Sequence, residues 1–151
     1  MPNLHCNEYH SVDFDACMAI FDSNVPQFFA ESERQAFEGF LLDLPGPYLV
    51  CKEQNLGIIG CGGYAFNQQD RSADLCWGMV HKDFHKKGFG QALLLERLER
   101  IKLNPDIKKI HLNTCQLTDS FFENAGFKTS KITHDGFADG LHRHDMTLVL
   151  R

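Results

Sequence analysis

Val80-His81-Lys82-Asp83-Phe84-His85-Lys86-Lys87-Gly88-Phe89-Gly90-Gln91 joins a short apolar run, residues 73–80, to a longer amphipathic one, residues 88–103. The apolar spacing changes across this junction from that of a strand to that of a helix, with Leu94, Leu98 and Ile101 on one helical face and Glu96 and Arg100 paired at i,i+4 on another. Gly88 and Gly90 leave the first helical amides unobstructed. Those amides have no intrahelical acceptor and sit at the positive end of the helix dipole, which suits phosphate or pyrophosphate. Within residues 81–102, Lys82, Lys86, Lys87, Arg97, Arg100 and Lys102 face Asp83, Glu96 and Glu99, so this stretch carries +3 in a chain of formal charge −5. The remainder is therefore −8. On these residues alone, a glycine turn flanked by solvated lysines stays open as the plainer reading.

Outward from the junction, residues 108–115 form the next strand, so residues 73–80, the helix and residues 108–115 make one strand-helix-strand crossover with a parallel pair. Before it, residues 47–52 and 56–66 read as an antiparallel hairpin, with Gly60, Gly62 and Gly63 permitting a bulge or a close backbone approach. Further back lie a strand at residues 3–9, a helix at about 13–22 and a second helix opened by a Ser32/Gln35 capping box and stopped by Pro45-Gly46-Pro47. Towards the C-terminus follow a short helix at residues 119–125, closed by Gly126, and strands at 127–134 and 142–150. The order predicts an α+β fold, helices layered on a mixed and mostly antiparallel sheet.

At 151 residues, with no linker rich in Pro, Gly or Ser, the chain is one domain over 1–151. Hydrophobic residues at 43% and 13 Phe fit a packed globule and exclude a disordered tail. The net negative charge argues against nucleic acid and anionic membranes as partners. Absence of a long apolar run or a basic leader places the expected location in the cytoplasm. Cys6, Cys17, Cys51, Cys61, Cys76 and Cys115 are scattered without a CxxC pair, so reduced, mostly buried thiols are expected.

A dinucleotide fingerprint fails here because Leu93 occupies the third glycine position and seven residues separate Val80 from Gly88; no G-K-[ST] follows for a P-loop. The segment from Val80 to Gly90 instead resembles the acyl-CoA-binding signature of the GNAT family of N-acetyltransferases, a strand ending in Val followed by [QR]-x-x-G-x-[GA]. Phe121-Phe122-Glu123-Asn124-Ala125-Gly126-Phe127 is similar to that family's second recurrent stretch, aromatic-Tyr-Glu-Lys-x-Gly-Phe. The order of elements agrees, so the resemblance spans nearly the whole chain.

The resemblance implies a splayed parallel central strand pair, with residues 75–80 diverging from 110–115, and an acetyl-CoA co-substrate without a metal. The amides of His85, Lys86, Lys87, Gly88, Phe89, Gly90 and Gln91 would hold its pyrophosphate, and backbone at Met79 and Val80 its pantetheine arm. A backbone N–H near Gly78 would stabilise the oxyanion formed when an amine attacks the thioester directly. The chain departs from the pattern twice: His85 replaces the usual Gln or Arg, and Phe122, beside the cofactor, replaces the Tyr that many members use to protonate the leaving thiolate. An alternative therefore stands beside the enzyme, a non-catalytic acyl-CoA-binding or regulatory module.

Asp74, eleven residues before His85, is the candidate general base, though an exposed strand residue explains it as well. Cys115 reads as a packed strand-end thiol. His142 and His144, two apart on one strand, read as hydrogen-bonded or solvated in the absence of a third ligand. Phe28 and Phe29 precede Glu31 and Glu33, an aromatic and acidic wall that would suit a cationic small-molecule or peptide amine, though core packing explains the phenylalanines equally well. The C-terminal strands and exposed Phe residues would also support a homodimer.

Overall fold

The structure, a computed structural model, describes residues 4–151. Strand β1 (Leu4–Glu8) leads into helix α1 (Phe14–Ser23) and helix α2 (Arg34–Leu42). Strands β2 (Tyr48–Glu53), β3 (Gly57–Asn67) and β4 (Ser72–Val80) follow, then helix α3 (Phe89–Lys102) and strand β5 (Lys109–Thr114). Helix α4 (Asp119–Glu123) and strands β6 (Lys128–Ala138) and β7 (Leu141–Val149) complete the chain. Asn3, the expected first residue of β1, lies outside the described residues.

All seven strands form one sheet in the order β1-β2-β3-β4-β5-β7-β6, antiparallel except for β4 beside β5. Strand alternation builds two cores. Tyr48 and Val50 of β2 face α1 and α2, packing with Cys17, Ile20, Phe21, Phe37 and Leu41. Leu49 and Cys51 point the other way, towards Leu93 of α3. Farther along that layer Leu94, Leu98 and Ile101 pack with Ile110, Leu112, Phe127 and Met146. Each such side chain contributes about 1.5–3 kcal/mol of burial, so the three α3 residues alone supply several kcal/mol.

Three expectations change. Cys6 and Cys51, direct cross-strand partners on β1 and β2 with Cα atoms 4.1 Å apart, are joined as a disulfide, so only Cys17, Cys61, Cys76 and Cys115 are free. The register of two remote strands creates this pair, and no spacing in the sequence announces it. The capping box is not Ser32/Gln35: Glu33 reaches back to accept the N–H of Ala30 at 2.8 Å and opens a 3-10 turn before α2. Strand β6 runs four residues past His134, because a register shift with Asp135 at φ 51° lets the strand continue to a turn at Gly140, φ 80°.

Candidate active site

Strands β4 and β5 pair only over Ser72–Lys109, Ala73–Ile110 and Asp74–His111, after which β5 keeps its bonds to β7 while β4 leaves it. The closed end is clasped from outside. The Lys108 N–H donates to Arg71 O at 2.8 Å, and Asp70 lies 3.4 Å from Lys109 and 3.6 Å from His111. Lys109 is the main cause that holds the Asp70 carboxyl below its usual range. The open end is a wedge between residues 75–80 and the end of β5.

A bulge sits on the β4 side of the wedge. Between the pairs Gly63–Cys76 and Cys61–Met79, three steps on β4 match two on β3, and Trp77 adopts φ 43°. Tyr48 steadies the bulge by donating its hydroxyl to Trp77 O at 2.8 Å. Past the bulge the His81 N–H donates to Ile59 O of β3 at 2.8 Å. Successive strand amides alternate sides, so the N–H of Val80, between the paired Met79 and His81, faces away from β3, towards the wedge. The carbonyl of Val80 is already committed, accepting from Asn24 Nδ2 at 3.0 Å and facing His85 Nε2 at 2.8 Å.

That last contact explains the unusual His85. Its ring turns back to the end of β4 and meets Phe28 edge-on at 5.2 Å, and its N–H donates to Lys82 O at 3.3 Å, so the His85 amide expected to hold pyrophosphate is already committed within the chain. Lys86 at φ 62° and Gly88 at φ 86° then curl the chain, and the first α3 bond runs from Ala92 N–H to Gly88 O. Among the described residues, no backbone N–H of residues 86–91 donates to a protein acceptor. Six successive amides without a protein acceptor thus lie beside Lys86 and Lys87, an arrangement able to accept an anion. Phe89 contributes its backbone alone, since its ring is buried against Ile59 and Val80. Beyond Gln91 a groove of about 900 Å³ continues between α3, α4 and β7, lined by Leu95, Lys102, Lys108 and Phe121.

The loop from α1 to α2 roofs the wedge. Asn24, buried at 2% exposure, ties it down by bonding both Ile20 O and Val80 O. Phe29 stacks on Trp77 at 6.0 Å, while Ala30 crosses to the β5 side and packs with Cys115 and Leu141. Gln116 locks the β6–β7 hairpin, donating to Gly140 O at 2.7 Å and accepting the His142 N–H at 2.9 Å. Glu33, in the last turn of this loop before α2, has its carboxyl pushed up by burial, partly offset by the Ala30 N–H it accepts.

Asp74 is exposed and is the last paired residue at the closed end. Three residues lie between it and Gly78, four strand steps that span at most about 13 Å. Phe122 packs between Phe121 at 5.0 Å and Phe127 at 6.0 Å, an aromatic brace without a proton to give. Cys115 is buried with its Sγ 3.9 Å from Thr118 Oγ1. His142 and His144 diverge in role. His144 is buried 3.4 Å from Asp119, while His142 joins His134 and Asp135 in a cluster. Those two rings stack 4.5 Å apart at 23°, and His142 Nδ1 already accepts the Asp135 N–H. Near-parallel rings offer an ion no point in both ring planes, so the cluster as arranged is a hairpin lock.

The sequence reading missed four residues that shape the site. Asn24, Tyr48 and Gln116 hold backbone, as described. The fourth is Arg97, 4% exposed, whose guanidinium lies beneath Gly62 and Gly78 rather than in the surface basic patch. A signal for it existed: Arg97 falls four residues from Leu93 and four from Ile101, inside the buried face of α3.

A mixed sheet split at one parallel pair, with free helix-opening amides at the mouth, defines an acyltransferase-type architecture. The family model for the acetyltransferase (GNAT) domain matches residues 19–150, and the chain belongs to that family. No curated protein matches it. Among solved structures it is similar to a chain assigned to GNAT acetyltransferases from Desulfovibrio desulfuricans (18% identity, TM-score 0.79, covering 97% of this chain and 99% of that one). It is also similar to the ribosomal-protein-S18-alanine N-acetyltransferase of Escherichia coli (13%, 0.79, 97% and 94%). A third is the spermidine N-acetyltransferase of Vibrio cholerae, in complex with CoA and spermine (15%, 0.74, 97% and 95%). At these identities the structural likenesses show the fold. No helix among the described residues is long and apolar enough to cross a membrane.

Proposed function

We propose that this chain transfers the acetyl group of acetyl-CoA to a primary amine by direct attack on the thioester. The observation that carries the reading is the β4–β5 wedge opening onto six unpaired amides at residues 86–91. Those amides, with Lys86 and Lys87, suit the pyrophosphate; the N–H of Val80 and the Met79 backbone suit the pantetheine; the groove past Gln91 leaves room for the nucleoside end.

Reaction requires an uncharged amine. Asp74 or Glu33, directly or through water, takes the ammonium proton, and the raised Glu33 carboxyl is the better matched in basicity. The amine lone pair forms the C–N bond as the carbonyl electrons move onto oxygen, where the Gly78 N–H stabilises them. Collapse breaks the C–S bond, the electron pair leaves on sulfur, and the nitrogen, cationic since the attack, releases its surplus proton to water to give the neutral amide. Phe122 has no proton to donate, so the thiolate departs as an anion and takes its proton from water. Phe28, Phe29 and Glu33 offer the acceptor an apolar and acidic wall, fitting an amine such as those on which the solved relatives act.

Calorimetry with CoA, then thiol release from acetyl-CoA across polyamines, amino acids and alanine-terminated peptides, tests the reading. Micromolar binding with amine-dependent release is expected. Binding without release for any acceptor supports the module that Phe122 also fits, and no saturable binding rejects both.

A further inference from the structure

Arg97 has no structural partner that justifies its burial. Its Nη1 makes one long hydrogen bond, 3.4 Å to Gly63 O, and its Nε is buried without an acceptor. The titratable groups that face it are Tyr48, Cys76 and Cys61. No carboxylate is among them. Burial lowers its pKa to about 10, which still leaves it a cation at neutral pH. A buried charge without a counter-ion costs stability, so the fold would be better off with an apolar side chain there.

The surroundings are nonetheless arranged to admit this group. A Cβ on Gly78 would lie 2.8 Å from Nη1 and 2.9 Å from Cζ, and one on Gly62 would lie 3.2 Å from Cζ. Two adjacent strands therefore carry glycine where the guanidinium presses against them. The peptide it touches is the one at the β4 bulge, on the strand that borders the wedge.

We propose that Arg97 is a positioning residue whose guanidinium, acting through the Gly78 peptide, stabilises the negative charge that develops on the thioester oxygen. The inference rests on the acetyl-transfer reading above. As the amine forms its bond to carbon, the carbonyl π electrons move to oxygen, and the cation beneath the sheet lowers the energy of that charge. When the C–S bond breaks the charge passes to sulfur. Arg97 keeps its protons throughout. At an effective dielectric near 20, a full charge acting over about 6 Å is worth roughly a hundredfold in rate at most. The same cation eases departure of a thiolate that Phe122 cannot protonate.

The test compares wild type with Arg97→Met, similar in length and neutral, and Arg97→Lys, which keeps the charge. Thiol release from acetyl-CoA is followed with the best acceptor of the amine screen, together with CoA affinity and thermal melting. Arg97→Met is expected to lose about 10- to 100-fold in kcat, keep KM for acetyl-CoA and CoA affinity within about threefold, and melt at or above the wild-type temperature. Arg97→Lys should recover most of the rate. A purely structural arginine would reverse the stability result and show no rescue. Arg97→Met with wild-type kcat, or one that melts lower or fails to fold, overturns the proposal while wild-type turnover leaves the parent reading intact. Absence of turnover in wild type overturns both.

Discussion

Replacing Gly78 by Ala tests the packing beneath the bulge in isolation from chemistry. The new methyl carbon would lie 2.8 and 2.9 Å from Nη1 and Cζ of Arg97, well inside contact distance. An arginine head on the surface would swing aside freely. This one is 4% exposed and roofed by Gly62, so displacement breaks its bond to Gly63 O and disturbs packing on both strands. Overpacking of a closed core costs about 1–3 kcal/mol, and about 2 kcal/mol is the expected value here. For a domain of this size that lowers the melting temperature by roughly 4–8 °C.

In an Arg97→Ala background the obstructing atoms are gone, and Gly78→Ala should then cost under about 0.5 kcal/mol. The coupling in the cycle is thus about 1.5 kcal/mol. Gly62→Ala is the contrast: its methyl also meets Gly78 Cα at 3.1 Å, a backbone atom that removal of Arg97 leaves in place. Urea unfolding of the four proteins, by linear extrapolation, reads the cycle directly. Equal cost of Gly78→Ala with and without the arginine side chain would refute the placement of the guanidinium against that peptide.

Two further perturbations probe the mouth and the roof. Gly88→Glu sets a carboxylate into the cradle of residues 86–91 and should weaken CoA at least about tenfold; Gly88→Asn, which tolerates the φ of 86°, controls for backbone strain and should lose far less. Equal losses in calorimetry would place the anion elsewhere. Glu33 has a carboxyl raised above its unfolded value, so its contribution to stability is present below about pH 4.5 and fades as pH rises through the folded pKa. Glu33→Gln keeps an oxygen for the Ala30 N–H and should therefore flatten stability over that window with little loss at pH 7. If Glu33 also takes the ammonium proton, the acidic limb of the rate profile shifts in Glu33→Gln, whereas a shift in Asp74→Asn alone assigns that role to Asp74.

The parts legible from sequence were those written in local periodicity. Leu94, Leu98 and Ile101 gave the α3 stripe, Glu96 and Arg100 sit 2.9 Å apart as their i,i+4 spacing implies, and one crossover fixed the parallel pair. The glycine junction and the Phe121 to Phe127 stretch pointed to the family because their meaning lies in consecutive residues. What escaped depends on contacts between remote segments. Cys6 meets Cys51 through strand register, Asn24 meets Val80 across 56 residues, and Arg97 counts as surface charge until its place between Leu93 and Ile101 is weighed. The same physics explains Ser32: with Ala30 drawn across the wedge to Cys115, Glu33 is the residue in position to bond the free N–H.

A sheet that divides along its middle carries two strand edges that do not pair with each other beyond Asp74 and His111, and unpaired edges invite pairing with other chains. Ordinary edge defences are unavailable, because charges or bulky side chains in the slot would block it. Whatever amide-bearing chain occupies the slot acts as a removable strand, so hydrogen exchange at Val80 should slow when the slot is filled. The loaded protein should also resist aggregation better than the unloaded one, which makes colloidal stability a readout of occupancy that needs no knowledge of the acceptor.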